Sequence, residues 1–179
     1  SSRNNHRYLR DSVTMAWGAT VGDNALFFTG IDRFRIALEQ MRPDGSLPLE
    51  TARGAHALFY QRHAISSLVA IAEMAAAQGY DLYAMRNRDG QDLHWMIRFL
   101  ADGIDDPAVL APYTDEPQYL GFLDRRGHDR HYMAWFEAYR ARFPESELTQ
   151  RLAAQIRGNG SFEEPLLDEY AGGSMTCLF

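Results

Sequence analysis

The hydrophobic positions along this chain recur with the three-to-four-residue spacing of α-helices over most of its length. The pattern predicts six helices, over residues 5–18, 24–41, 49–78, 90–101, 128–143 and 147–157. Asp23 suits the N-cap of the second helix, and residues 42–45 form a turn sequence before the third. Residues 105–127, with three prolines, and the chain after residue 157 predict looser or extended structure. We therefore predict an all-α fold of antiparallel helix pairs, in a single domain over residues 1–179.

Two details of these helices can be checked directly. The second half of the third helix, residues 65–78, is apolar almost all round, so we expect it to be buried and to end at Gly79 as a C-cap. The fourth helix is expected to end at Asp102-Gly103.

The first half of the third helix carries polar side chains where a core face would stand. Arg53, His56, Tyr60 and His63 follow one another at spacings of three, four and three. On a continuous helix, Arg53 and Tyr60 project within about 20° of each other and lie roughly 10 Å apart along the axis. An arginine at that position could bind a carboxylate while the tyrosine reaches a neighbouring atom. Spacing alone favours the alternative, in which these side chains pack and are satisfied locally.

A second candidate lies at the start of the first helix, where Asn4 and Asn5 precede His6. Carboxamide groups stand there beside a side chain that carries protons, although an asparagine N-cap followed by an exposed histidine explains the same residues. His128 and His131 have the spacing of metal ligands, but no third ligand is evident, and a solvated helix start explains them better. We find no phosphate-binding glycine loop, nucleophile elbow or zinc spacing.

Charge and composition narrow the possible partners. The net charge is −6, which argues against a general nucleic-acid binder, and no apolar run approaches the ~18 residues that cross a membrane. All 18 basic residues are arginines, so an anionic substrate is possible where they cluster. Cys177 is the single cysteine, which excludes an intrachain disulfide.

Three separated motifs, taken together, resemble a known family. Asn4-Asn5-His6 comes first, residues 47–53 (LPLETAR) follow with Tyr60 seven residues after the arginine, and residues 172–179 (GGSMTCLF) close the chain. This order is similar to the alginate lyase family of polysaccharide lyases, which are mannuronate lyases with an α/α toroid. The resemblance covers nearly the whole chain and corresponds to the C-terminal half of that toroid.

The resemblance implies roles for four residues. His6, Tyr60 and Arg53 resemble the catalytic histidine, tyrosine and arginine of the family, and Asn5 resembles the asparagine that helps to bind the uronate carboxylate. The activity implied is β-elimination of mannuronate-rich alginate, with no metal or other cofactor. An arginine beside the tyrosine would stabilise its phenolate, and the carboxylate contacts would neutralise the charge that builds up during proton removal.

Departures from the family pattern surround the catalytic tyrosine. Relatives commonly carry arginine at the position of His56 and a different sequence at residues 61–63. We therefore predict that His56, Arg62 and His63 bind substrate and influence which polyuronate is preferred.

The resemblance also implies partners and a location. We expect an anionic polysaccharide as substrate, no nucleic acid or membrane partner, a periplasmic or secreted protein, and a preceding N-terminal helical segment, absent from this chain, that completes the toroid. Two alternatives stay open, namely a lyase for another polyuronate, such as a glucuronate-containing polymer, and a non-catalytic helical module that binds acidic polysaccharide.

Overall fold

The computed structural model describes residues 3–124, 132–158, 166–168 and 173–174 of the chain. Its α-helices are α1 (Asn5–Val21), α2 (Asn24–Gln40), α3 (Pro48–Thr51), α4 (Ala57–Ala76), α5 (Leu93–Asp105), α6 (Trp135–Arg142) and α7 (Glu147–Gly158). Three short 3₁₀ turns cover Gly54–His56, Pro107–Leu110 and Gly121–Leu123. Two short strands, β1 (Leu167–Asp168) and β2 (Gly173–Ser174), pair antiparallel, with Leu167 opposite Ser174. The predicted all-α class is confirmed, and the extent of the domain over residues 1–179 stays a prediction.

α1 and α2 form an antiparallel pair joined by a tight turn. Gly22 ends α1 in the left-handed conformation, with φ 72°, and the Asp23 side chain accepts the backbone N–H of Leu26 at 3.1 Å, as the predicted N-cap requires. The two helices approach closely because Gly30 lacks a side chain. A Cβ at that position would lie 2.3 Å from the sulfur of Met15.

α4 is the central helix of the structure. It packs against α1, α2, α3, α5 and α6, and its second half is buried, as predicted. The helix ends at Ala76, and Gly79, with φ 86°, turns the chain three residues later rather than serving as the C-cap. Side chains at the N-terminal end of α4 therefore belong to the best-packed helix of the fold.

The predicted helix over residues 49–78 is wrong, because the structure divides it into α3 and α4. Gly54 has φ 57°, a left-handed conformation that interrupts the helix and favours glycine. A Cβ on Gly54 would also lie 2.4 Å from a carboxylate oxygen of Glu116, so the site of the break is crowded. Arg53 precedes the break and Tyr60 follows it, so the four polar residues do not share one continuous helix face.

Other helix boundaries also differ from prediction. α5 continues through Asp102-Gly103 to Asp105, because Gly103 serves as the contact point with α4 rather than as a helix end. A Cβ on Gly103 would lie 2.5 Å from a methyl group of Leu58. α6 begins at Trp135 rather than at residue 128, and His128 and His131 lie outside the described residues. Within the part of the chain that the structure describes, no helix has the length and apolar character to cross a membrane.

Candidate functional site

The start of α1 is tied to α3 by a buried hydrogen bond. Asn5 is the first residue of α1, and its backbone N–H donates to Oε1 of Glu50 at 2.7 Å. Both residues are fully buried. Burial raises the pKa of Glu50 to about 7, although the N–H of Asn5 and the charge of Arg53 act in the opposite direction. Sequence reasoning treated Glu50 only as part of a motif, and its burial had no local signal.

Asn5 also connects α1 to α4 through its side chain. Its amide Nδ2 lies 2.9 Å from Nδ1 of His63, whose ring stands edge-on to the ring of His6 with centroids 6.4 Å apart. Burial lowers the pKa of His63 to about 4, and the charges of Arg62 and His6 add to this effect. His63 is therefore neutral near pH 7, and its Nδ1 can accept a hydrogen from Asn5. Three of the predicted residues, Asn5, His6 and His63, come together here.

Arg53 and Tyr60 are in direct contact. The guanidinium carbon of Arg53 lies 4.0 Å from the centroid of the Tyr60 ring, a cation–π geometry. Both side chains are half-buried. The predicted separation of roughly 10 Å along a helix axis is wrong, because the break at Gly54 folds the arginine back onto the tyrosine. Tyr60 and His63, three residues apart on α4, occupy the same side of the helix, which joins this pair to the histidines.

His56 lies exposed at the edge of this group. Its ring is 6.4 Å from the Tyr60 ring and 5.3 Å from the ring of Tyr119, with an interplanar angle of 32° to the latter. Tyr119 was not predicted, because it belongs to the proline-containing stretch that carries no periodic pattern. Together the two side chains extend the aromatic surface beside Tyr60.

The segment that carries Tyr119 is fastened to the start of α4. Gln118 accepts the N–H of Leu58 at 3.2 Å through Oε1 and donates to the carbonyl of Gly54 at 3.0 Å through Nε2. The N–H of Tyr119 donates to the carbonyl of Ala55 at 2.7 Å. The first of these bonds gives a partner to the N–H of Leu58, which lies in the first turn of α4, where backbone N–H groups have none within the helix. A remote segment therefore stabilises the turn that brings Arg53 to Tyr60.

Three predicted site residues, Arg62, Asn5 and His63, are buried. Arg62 is 1% exposed, its guanidinium lies 4.7 Å from the Phe59 ring centroid and 5.0 Å from that of Tyr132, and Nη1 donates to the Tyr132 carbonyl at 3.2 Å. At this position Arg62 supports the packing of α4, and its contact with substrate stays a prediction. Asn5 likewise has no exposed surface for the carboxylate contact that its resemblance implied. The other predicted residues, Arg53, His56, Tyr60 and His6, are partly or fully exposed, and the buried His63 ring adjoins that of His6.

Among the described residues, no three His, Cys, Asp or Glu side chains are grouped as metal ligands would be. The absence of a cofactor stays a prediction.

Comparison with known proteins decides the family. The alginate lyase family model matches residues 1–110, and the chain is 35% identical to a polysaccharide lyase of Stenotrophomonas maltophilia over 98% of its own length and 47% of that relative. The chain belongs to the alginate lyase family. An alginate lyase of Azotobacter chroococcum mcd 1 is 30% identical over 98% of the chain and 44% of its own length. The chain therefore spans about half the length of the curated relatives that it matches.

Solved structures of this family share the fold. Alginate lyase A1-III from Sphingomonas species A1 superposes with a TM-score of 0.84 at 33% identity, over 98% of this chain and 46% of that one. Two further A1-III structures contain a tetrasaccharide, one in a variant with a histidine replaced by alanine and one with a tyrosine replaced by phenylalanine. The predicted α/α toroid fold is confirmed, and the chain covers 46% or 47% of each of these structures.

Proposed function

We propose that this chain carries the proton-transfer residues of a polysaccharide lyase that cleaves mannuronate-rich alginate by β-elimination. The contact between Arg53 and Tyr60, beside His63 and His6, is the observation that carries the proposal. It brings a fixed positive charge, a phenol and an exposed imidazole to one side of the most buried helix. A module that only binds acidic polysaccharide can use the arginine and the aromatic ring, but it does not need the Tyr60 hydroxyl.

The carboxylate of a uronate makes proton removal difficult. Taking the proton from C5 places negative charge on the carbon next to a carboxylate that is already charged. Arg53 is half-buried, and its guanidinium lies over the Tyr60 ring. We infer that it pairs with the carboxylate and stabilises the enolate-like transition state.

Tyr60 serves as base and then as acid in this proposal. Its phenolic oxygen, on a ring that contacts the cationic Arg53, takes the C5 proton as the C4–C5 double bond forms and the bond from C4 to the glycosidic oxygen breaks. The phenol then returns the proton to the leaving oxygen. In mannuronate the hydrogen on C5 and the oxygen on C4 lie on the same side of the ring, so one side chain can reach both. His6, exposed beside His63, supplies a hydrogen-bond donor near the developing charge.

The A1-III structures support these two roles. The histidine and the tyrosine substituted in its tetrasaccharide complexes are separated along that chain by the same number of residues as His6 and Tyr60 here. Asn5 belongs to the same proposed site. Its side-chain amide is hydrogen-bonded to His63, and this bond positions the ring that adjoins His6.

The preferred polyuronate is tested by supplying purified polymers. We expect the natural protein to release an unsaturated uronate, detected by its ultraviolet absorbance, from mannuronan faster than from guluronan or glucuronate-containing polymers. Activity on a glucuronate polymer alone would replace the proposed substrate by the alternative one. His56 and Tyr119 are the side chains we expect to influence this preference, since they border Tyr60.

We further propose that a helical segment outside this chain completes the toroid, in a periplasmic or secreted protein. Val13, Trp17 and Val21 form a stripe along α1 that is 61%, 59% and 49% exposed. The relatives are about twice as long as this chain, so a second half is available to cover the stripe. Fluorescence quenching of Trp17 should be strong in the 179-residue chain and weak in the full-length protein. Equal quenching in both would contradict the proposal, and cell fractionation tests the location.

A further inference from the structure

Glu50 lies on α3 between two parts of the site, the start of α1 and the turn that carries Arg53. Its carboxylate is fully buried, and Oε1 accepts the backbone N–H of Asn5 at 2.7 Å. The other oxygen, Oε2, has no hydrogen-bond partner among the residues that the structure describes. Arg53 follows three residues later, and its charge acts on the Glu50 carboxyl. A single carboxylate therefore links the start of α1 to the turn that carries the arginine.

The bond to Asn5 fixes the direction in which α1 begins. Backbone N–H groups in the first turn of a helix have no partner within the helix, and a carboxylate there is stabilised by the positive end of the helix dipole. Asn5 is followed directly by His6, so the position of Asn5 sets that of His6. The Asn5 side chain also contacts His63, whose ring adjoins His6. Glu50 therefore affects the His6 imidazole in two ways, through the backbone of Asn5 and through the contact of the Asn5 side chain with His63.

We propose that Glu50 is a positioning residue for the lyase reaction, because its carboxylate holds the first turn of α1 so that His6 faces His63 and the Tyr60 side of α4. The proposal rests on the proposed function. Glu50 has no exposed surface, so it acts through Asn5 and His6 and does not touch the substrate.

The surroundings of Glu50 make this role depend on pH. Within the described part of the chain, the ionisable groups that act on Glu50 are Tyr8 from α1 and Arg53 from the following turn. α4 presents the neutral amide of Gln61, which accepts the N–H of Leu47. Burial raises the pKa of Glu50 to about 7. The ionised carboxylate is the stronger acceptor, so the hold on Asn5 strengthens as the pH rises through this value.

The test compares Glu50→Ala with Glu50→Gln in the natural full-length protein. Alanine removes the acceptor, whereas the glutamine oxygen can still accept the Asn5 N–H at every pH. We expect Glu50→Ala to lower kcat about 100-fold, with a KM change below about threefold, since a misplaced catalytic group costs rate rather than binding. Glu50→Gln should recover most of kcat and move the acid limb of its pH profile to lower pH. Glu39→Ala, which removes an exposed carboxylate on α2, is the control and should leave kcat unchanged.

A second measurement keeps this proposal separate from the proposed function. Ring signals of His6, followed by NMR, should shift in Glu50→Ala and stay close to those of the natural protein in Glu50→Gln. If Glu50→Ala folds, keeps its kcat and leaves the His6 signals in place, the positioning role is wrong, even where the melting temperature falls. A natural protein inactive on every polyuronate would overturn the lyase assignment instead, while the His6 signals would still decide whether Glu50 positions that ring.

Discussion

Two buried carboxylates, Asp11 on α1 and Glu50 on α3, have different hydrogen-bond donors and pKa values shifted in opposite directions. Asp11 on α1 accepts hydrogen bonds from Arg7, Arg10 and Arg33 at 2.7 to 3.0 Å, whereas Glu50 accepts a single backbone N–H. Burial alone would raise the pKa of Asp11, but the three arginines bring it below its usual range. Burial prevails at Glu50 and raises its pKa to about 7. Both carboxylates have almost no exposed surface, yet Asp11 is charged near pH 7 and Glu50 titrates there. The difference follows from their hydrogen-bond donors, three guanidinium groups at Asp11 and one backbone N–H at Glu50.

The largest effect is expected on the Glu50 side, where the chemistry is proposed. Tyr60→Phe removes one oxygen from the site and should lower kcat by about 1,000-fold, within the range of a lost general acid–base group. Binding of an alginate oligosaccharide, measured by calorimetry, should change little, because Arg53 remains to pair with the carboxylate. Equal loss of binding and turnover would favour the non-catalytic binding module. Tyr80→Phe, on an exposed tyrosine away from the site, is the matched control.

The Asp11 side should respond in stability rather than in turnover. Asp11→Asn leaves three guanidinium groups around a neutral amide, and we expect it to lower the free energy of unfolding by about 3 kcal/mol. Urea denaturation of the natural protein and the variant measures this difference. Asp32→Asn, an exposed carboxylate on α2 whose ion pair with Arg35 spans 3.9 Å, should change stability by less than about 0.5 kcal/mol. Similar values for the two variants would show that the arginine cluster adds no stability.

The raised pKa of Glu50 predicts how the free energy of unfolding depends on pH. The folded pKa of Glu50, about 7, is above its ordinary value of 4.5, so its contribution is fully present below pH 4.5 and is lost as the pH rises through 7. Relative to Glu50→Gln, the natural protein should therefore lose roughly 3 kcal/mol across this window. His63, with a depressed pKa, stabilises in the opposite direction, above pH 6.5, but it is common to both proteins. Parallel stability curves from pH 4.5 to 8 would contradict the raised pKa of Glu50.

The smallest effect concerns the segment that supports the turn. Gln118→Ala removes the acceptor for the N–H of Leu58 and the donor to Gly54, and we expect a loss of about 1 kcal/mol per missing bond. Because the turn positions Arg53, KM for alginate should rise by a few fold while the pH profile stays the same. Gln150→Ala, on the exposed side of α7, provides the comparison. An unchanged KM would restrict Gln118 to a structural role.

Local patterns were sufficient for the elements whose ends are set by nearby residues. α1, α2 and α7 lie close to their predicted bounds, since Asp23 and Gly22 mark the only turn between the first two helices. The break between α3 and α4 could not be predicted in the same way. It depends on Gly54 taking a left-handed conformation that residues 116–119, far along the chain, stabilise.

The residues of the site divide in the same way, into those that local motifs predict and those that depend on distant contacts. The motifs identified Arg53, Tyr60, His6 and His63, which the fold brings together, but periodicity could not distinguish Arg53 from Arg62. Arg62 lies in the core beside the Phe59 and Tyr132 rings, whereas Arg53, before the break at Gly54, is only half-buried. Glu50 was missed as a site residue because its partner, Asn5, is 45 positions away.

The glycine after Arg53 also changes how such a sequence is best searched. A cation and a tyrosine seven positions apart occur on many ordinary helices, where their side chains are separated by two turns. Here the same interval brings a guanidinium 4.0 Å from the centre of a phenol ring, because the chain reverses its handedness at Gly54. An arginine followed at once by glycine, with the tyrosine six positions after that glycine, is therefore a more discriminating signature than the heptad interval. Gly54→Ala would keep the heptad intact and, by this reasoning, separate the pair.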